Sequence, residues 1–262
     1  MRRALALARR GMGHVNPNPM VGAVLVRDDR VIGQGYHACF GESHAEVNAL
    51  QGLTREETEG ATLYVTLEPC SHAWKTPPCS ELIAGMGIGR VVAAMTDPNP
   101  LVGGNGFRYL RQAGIEVVTG LMEKAALRLN EVFAWYITRK TPYVVLKTAM
   151  TMDGKIATVT NASRWITGEP SRRMVHRLRQ QLSAVMVGVD TVIFDDPLLN
   201  IRLRGMNAHP LKVIADTHAR IPLEARVLTN DPQLTLVATT SLADAKKLKT
   251  IERMGAQVLV CP

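Results

Sequence analysis

The chain has 262 residues, a length that suits two compact domains better than one. Apolar residues make up 46% and charged residues 21%, as in ordinary globular proteins, and no run approaches the ~20 apolar residues of a membrane span. Four cysteines in this length exclude a disulfide scaffold, and 5% aromatic content argues against a single-strand nucleic-acid binder despite a formal net charge of +8.

The N-terminus, MRRALALARRG, carries an apolar core shorter than the roughly 7–15 residues of a secretory signal. Its spacing predicts an amphipathic helix over Arg2–Arg10, and the chain reads as cytoplasmic. Strands are predicted at Val21–Arg27 and Val31–Tyr36 around an Asp28-Asp29 turn, then a helix over Glu46–Leu53 and a strand at Ala61–Leu67. A short helix at Ser80–Met86, a strand at Arg90–Met95, a helix at Gly106–Ala113 and a strand at Ile115–Val118 follow. One longer helix is predicted over Glu123–Arg139. Strands alternating with helices imply a mixed or parallel sheet covered on both faces.

A second unit is predicted from about Thr141-Pro142, giving domains 1–141 and 142–262. Tyr143–Thr148 reads as a strand and Pro170–Leu182 as a basic helix carrying Arg172, Arg173, Arg177 and Arg179. Strands at Ala184–Val189, Lys212–Ala215, Leu234–Thr239 and Gln257–Val260, with a helix over Leu242–Met254, complete it. The charge divides unevenly, +2 over residues 1–142 and +6 over 143–262. A basic half suits phosphorylated small molecules.

The chemistry concentrates in His44-Ala45-Glu46, Glu68-Pro69-Cys70 and Cys79. One imidazole and two thiolates hold zinc while leaving its fourth position open to water, as catalytic zinc sites do. Glu46 is surplus to that ligand set and free to carry protons, which is the pattern of the zinc deaminases. Eight residues separate the cysteines instead of the usual two, and they build a loop at the site's rim. His72 and Lys75 on it face a polar or anionic substrate. Cys39 and Cys261 read as small buried hydrophobes. Two rival readings are a tRNA or nucleoside deaminase with an accessory domain and a non-enzymatic zinc-stabilised module. The long Cys–Cys loop opposes the first, and the lack of an evident fourth ligand opposes the second.

The stretches NPNPMVGAVLV, HAEVNAL, TLYVTLEPCSH, KTPPC and MTDPNP resemble the bifunctional deaminase/reductase family of riboflavin biosynthesis. The resemblance runs from about residue 2 to the end of the chain. It implies a cytidine-deaminase-like α/β/α sandwich with His44, Cys70 and Cys79 on Zn²⁺ and Glu46 as the catalytic proton carrier. It further implies substrate contacts from Asn18, His72, Lys75, Asp97 and Asn99, although Asn18 and Asn99 also suit turns among their neighbouring prolines. Trp74 stands where the family usually has glycine, so the loop's packing is expected to differ.

The second half, through LKTAMTMDGKIAT, SRWITG, VGVDTVIFDDPLLNIR and VIADT, resembles the family's reductase, which has a dihydrofolate-reductase-like α/β fold. Carried over, Ala149, Trp165, Thr191, Asp195 and Thr217 would line an NADPH site. Ser163, Arg179, Leu199 and Arg202 would contact a ribosylamino substrate, with the two arginines as phosphate partners. The family reductase continues for roughly a hundred further residues, a length consistent with an unfinished domain here. That part includes a glycine-rich segment for the NADPH phosphates. The chain is therefore expected to be a fragment, incompletely represented, or defective as a reductase. The family also implies a homo-oligomer through the second domain and phosphoribosylated pyrimidine substrates, with neither nucleic acid nor membrane as a partner.

Overall fold

The protein is described here by a computed structural model covering residues 1–71, 78–160, 162–203, 205 and 208–262. It divides into two compact units, Met1–Val145 and Leu146–Pro262.

In the first unit, five strands lie in the order β2-β1-β3-β4-β5. These are β1 (Gly22–Arg27), β2 (Arg30–Tyr36), β3 (Thr62–Val65), β4 (Arg90–Ala93) and β5 (Glu116–Thr119). β1 runs antiparallel to β2 and β3, while β3, β4 and β5 are parallel. The apolar runs supply both faces of this sheet. Ala23, Leu25, Leu63, Val65, Val91 and Ala93 pack on one side against α2 (Ala45–Leu50), α4 (Cys79–Gly85) and α5 (Asn105–Gln112). On the other side, α1 (Arg2–Ala8) and α6 (Glu123–Leu129) cover it through Leu5, Ala8, Ala126 and Leu129. The result is the expected α/β/α sandwich.

Glycines set the spacing of these layers. A Cβ on Gly22 would lie 2.1 Å from the Ala4 carbonyl oxygen of α1. On the opposite face, a Cβ on Gly35 would lie 2.5 Å from both the Ala45 oxygen and the Ala49 nitrogen of α2. Both helices therefore rest directly on strand backbone, and no side chain fits between.

The single helix expected over Glu123–Arg139 is two: α6 and α7 (Glu131–Arg139). Asn130 interrupts them at φ −107°, ψ 24°. Its buried side chain accepts from Met20 N at 2.8 Å and donates to Met20 O at 2.9 Å. That paired bond satisfies both backbone groups of Met20 and holds Asn130 at the break between the two helices. A short helix α3 (Arg55–Thr58), unpredicted, is closed by a Thr54–Glu57 capping box.

In the second unit, β6 (Ala184–Gly188), β7 (Leu211–Ala215), β8 (Thr235–Thr240) and β9 (Gln257–Cys261) form a parallel sheet in sequence order. α8 (Glu169–Gln181) precedes it. α9 (Val189–Asp195) follows β6, α10 (Arg226–Thr229) lies between β7 and β8, and α11 (Ala245–Arg253) between β8 and β9. Ile214, Val237, Ile221, Val227, Leu228 and Ile251 form its core. Helix α9 was not foreseen. The strand expected at Tyr143–Thr148 is absent: the segment has no regular structure, and Val144 and Leu146 are 82% and 88% exposed. A strand exists only where neighbours take its backbone hydrogen bonds, and an apolar β-branched run supplies propensity without supplying the neighbour. No described helix is long and apolar enough to cross a membrane.

Candidate metal centre and cofactor face

His44 is the N-cap of α2, with extended backbone, so its ring leaves the helix at its first turn. Cys70 follows the end of β3, and Cys79 opens α4, where the positive end of the helix favours a thiolate. Cys70 itself lies in irregular chain and not at a helix start. Three elements thus deliver one donor each. The ligand atoms all lie within 4.8 Å of one another. The His44 Nδ1 atom is 3.6 Å from Cys70 Sγ and 3.3 Å from Cys79 Sγ. Ordinary Zn–N and Zn–S bonds in a tetrahedron put such atoms roughly 3.6 Å apart, so the donor set fits zinc. All four cysteines are free. Cys39 is exposed and Cys261 half-buried, so neither is the fully buried hydrophobe expected.

The charges at this centre are mutually tuned. A hydrogen bond from the Cys79 thiol, aided by His44, holds Cys70 down to about 4. The same shared proton, with burial, pushes Cys79 up, and the hydrogen bond to Cys70 raises His44. A cation would replace that proton and hold both sulfurs as thiolates. Glu46 is buried, and desolvation, reinforced by the Cys70 charge, raises it to about 7. Glu46 lies on the first turn of α2, two residues after His44, which sets it beside the donor cluster without joining it.

Two further residues complete the surroundings: His37, which no motif marks, and Glu68, which stands in the Glu68-Pro69-Cys70 motif without a role of its own. His37, buried on the turn after β2, stacks edge-on against the His44 ring at 5.6 Å between centroids. Its Nε2 lies 3.2 Å from Asn18 Nδ2, and its Nδ1 3.1 Å from the Ser43 carbonyl oxygen. Burial holds its pKa down. Glu68, also buried, accepts four backbone N–H bonds. They come from Asp97 (3.1 Å) and Gly104 (2.9 Å) at Oε2, and from Gly106 (2.9 Å) and Phe107 (3.3 Å) at Oε1.

Asn18 is thereby joined to the centre through His37. Asp97 and Asn99 share a turn in which Asp97 Oδ1 accepts the Asn99 N–H at 2.8 Å, and Glu68 ties that turn to the Cys70 segment. Their role as turn formers is thus real, and it leaves a substrate role open. His72, Lys75 and Trp74 lie outside the described residues.

In the second unit, Thr191 and Thr217 occupy the connections leaving the C-terminal ends of the adjacent strands β6 and β7. The Asp190–Arg220 ion pair (2.6 Å) links those connections. Asp216 holds the β7 turn by accepting Arg220 N at 2.9 Å and Ile221 N at 2.8 Å, and the Thr217 carbonyl accepts Thr239 and Thr240 hydroxyls. The crevice beyond parallel strand ends is where α/β sheets bind ligands. Asp195 ends α9 and accepts the Ser163 hydroxyl at 3.2 Å; Arg164 donates to its carbonyl. Trp165 is 71% exposed beneath the Arg172 guanidinium, 4.5 Å from its ring centroid. Ala149 lies in the irregular segment. The Leu199 side chain is buried in the core, so only its backbone faces a ligand. Arg179 and Arg202 converge on Asn200, at its backbone oxygen (2.8 Å) and its Oδ1 (2.7 Å) respectively.

Residues 1–95 match the family model for the zinc-binding region of cytidine and deoxycytidylate deaminases, and residues 142–261 match that of the RibD C-terminal domain. The riboflavin biosynthesis protein RibD of Aquifex aeolicus is 48% identical over 260 residues, spanning 99% of this chain and 72% of that one. That of Actinobacillus pleuropneumoniae is 47% identical over 261 residues, spanning 100% and 69%. The chain belongs to the RibD family. Solved structures agree: Acinetobacter baumannii RibD superposes with a TM-score of 0.89 at 40% identity over 100% of this chain and 72% of that one. The Thermotoga maritima deaminase/reductase gives 0.84 at 41%, over 99% and 79%. As a RibD protein, the chain is a bifunctional enzyme of riboflavin biosynthesis, pairing a zinc-dependent deaminase domain with an NADPH-dependent reductase domain.

Proposed function

We propose that residues 1–141 deaminate 2,5-diamino-6-(5-phosphoribosylamino)pyrimidin-4(3H)-one, with His44, Cys70 and Cys79 holding zinc and Glu46 moving the protons. Residues 142–262 belong to the reductase that converts the ribosyl group of the product to ribityl. Bound zinc lowers the pKa of a coordinated water from 15.7 to about 7. Glu46 takes one proton of the attacking water and delivers it to the ring nitrogen, then carries the remaining proton of the added hydroxyl to the departing amine. A C–N bond is exchanged for C–O, and ammonia leaves. Burial beside the donor cluster suits a carboxyl that must both accept and return protons. The observation that carries the reading is a buried carboxyl on the same helical turn as one donor of a three-donor cluster whose spacing fits zinc.

Asn18, linked through His37, and Asp97 and Asn99, on the turn that Glu68 anchors, make up with His72 and Lys75 the proposed substrate contacts. In the reductase, NADPH carries the hydride and the protein orients it. Ala149, Trp165, Thr191, Asp195 and Thr217 are proposed for the cofactor, and Ser163, Leu199, Arg179 and Arg202 for the substrate. Reaction on small phosphorylated metabolites is consistent with action in the cytoplasm as a homo-oligomer. Glu46→Gln tests the deaminase assignment: ammonia release should fall by roughly 10²–10⁴ with zinc content unchanged. Retained turnover refutes the role given to Glu46.

A further inference from the structure

Arg179 and Arg202 are like charges held side by side. Arg179, on the third turn of α8, is substantially buried, and its Nε is buried without a hydrogen-bond partner. Its Nη1 donates to the Asn200 carbonyl at 2.8 Å, and Arg202 Nη1 donates to the Asn200 side-chain oxygen at 2.7 Å. Among the described residues, neither guanidinium has a carboxylate within ion-pair distance. His176, one turn before Arg179 on α8, accepts the Arg202 backbone N–H at Nδ1 (3.4 Å) and is itself neutral-leaning through burial and the two arginines. Leu199, immediately before Asn200, holds a left-handed φ of 52° with its side chain buried, so the backbone is bent to present Asn200 at this point.

A fold gains nothing from confining two cations on a neutral amide when an aspartate in the same place would pair with both. Such an arrangement makes sense when the missing negative charge arrives with a ligand.

We propose that Asn200 is a positioning residue that, with His176, holds Arg179 and Arg202 as an unneutralised pair for a phosphate dianion. The proposal rests on the reading of those arginines as phosphate partners of the reductase substrate. Asn200 must supply oxygen acceptors without charge: an acid there would fill the site permanently, and an apolar residue would let the arginines drift apart.

The test is titration calorimetry of the full chain with ribose 5-phosphate, using ribose as the control, beside thermal melts of each variant. Asn200→Asp should weaken ribose 5-phosphate binding by at least about tenfold, as expected for loss of charge-assisted bonds, while raising the melting temperature. Asn200→Ala should weaken binding with no gain in stability. A merely structural asparagine cannot move affinity and stability in opposite directions. Unchanged affinity in Asn200→Asp, or a fall in both quantities, overturns the proposal. Arg202→Ala separates this from the underlying reading. If that variant weakens binding and Asn200→Asp does not, only the positioning role fails. If the wild type does not bind ribose 5-phosphate, or Arg202→Ala binds it equally well, the phosphate reading fails and takes the proposal with it.

Discussion

Gly35→Ala tests whether the deaminase centre depends on direct contact between sheet and helix. The new methyl group would meet the Ala45 oxygen and Ala49 nitrogen of α2 at 2.5 Å. Ordinary carbon contacts with such atoms are longer by almost an ångström, and neither offending atom belongs to a flexible side chain. The helix must therefore lift from β2 by roughly 0.7–1 Å, or the strand must bow. Overpacking of this kind costs about 1–3 kcal/mol, or roughly 2–12 °C of melting temperature for a unit of this size. The first turn of α2 carries His44 and Glu46, so the same displacement moves a metal donor and the proton carrier relative to Cys70 and Cys79. A 1 Å misplacement in a catalytic constellation costs about 10²-fold in rate. The expected result is folded protein with a lowered melting temperature and ammonia release down by about two orders of magnitude. Gly85→Ala is the control, because a Cβ there meets nothing within 4 Å and its backbone is not left-handed. If Gly35→Ala keeps wild-type turnover and stability, α2 is not seated by this contact and the reasoning fails.

Cys79→Ser should abolish stoichiometric zinc by metal analysis and eliminate ammonia release, since a hard hydroxyl replaces a thiolate; full zinc occupancy would contradict the donor set. Glu68→Gln keeps the shape but presents an amide NH₂ to two of the four N–H donors, so melting should fall by several degrees, and an unchanged melt would show that the four bonds are not strongly coupled to folding. Lys212 is buried, and its ammonium donates to the Val227 and Asn230 carbonyls at 3.1 and 2.5 Å. Lys212→Met should leave the Asn230 carbonyl without its ammonium donor, while the Val227 carbonyl keeps the Thr235 hydroxyl at 2.6 Å, and cost about 1–3 kcal/mol in denaturant melts, a loss absent if water replaces the amine freely.

The sandwich was legible because its strands are short apolar runs and its helices carry apolar residues at helical spacing. Both are local patterns, and a strand such as VGAVLVR or TLYV reads the same before and after folding. The failures lie where a distant partner decides. Asn130 breaks a helix because Met20, 110 positions away, offers both a donor and an acceptor to its amide. Tyr143–Thr148 has every mark of a strand and lacks one because pairing is non-local. The capping box of α3 is a local pattern, Thr54-x-x-Glu57, and a closer reading of the sequence finds it.

The candidate site divides along the same line. His44, Glu46, Cys70 and Cys79 announce themselves because metal chemistry restricts the residue types and the spacing around His44 is tight. Glu68 sits between two such residues in the same motif, yet its work is done for Asp97, Gly104, Gly106 and Phe107, none of which is near it in the chain. Gly106 belongs to the same arrangement: a Cβ there would lie 2.0 Å from the Pro69 oxygen, so α5 abuts the ligand segment with no room between. One carboxylate thus caps the start of α5, anchors the Asp97 turn and fixes the segment leading to Cys70. A sequence shows the donors that touch the metal, because their chemistry is rare. It hides the residue that makes three loops share one geometry, because a buried glutamate looks like any other until its four partners are brought to it.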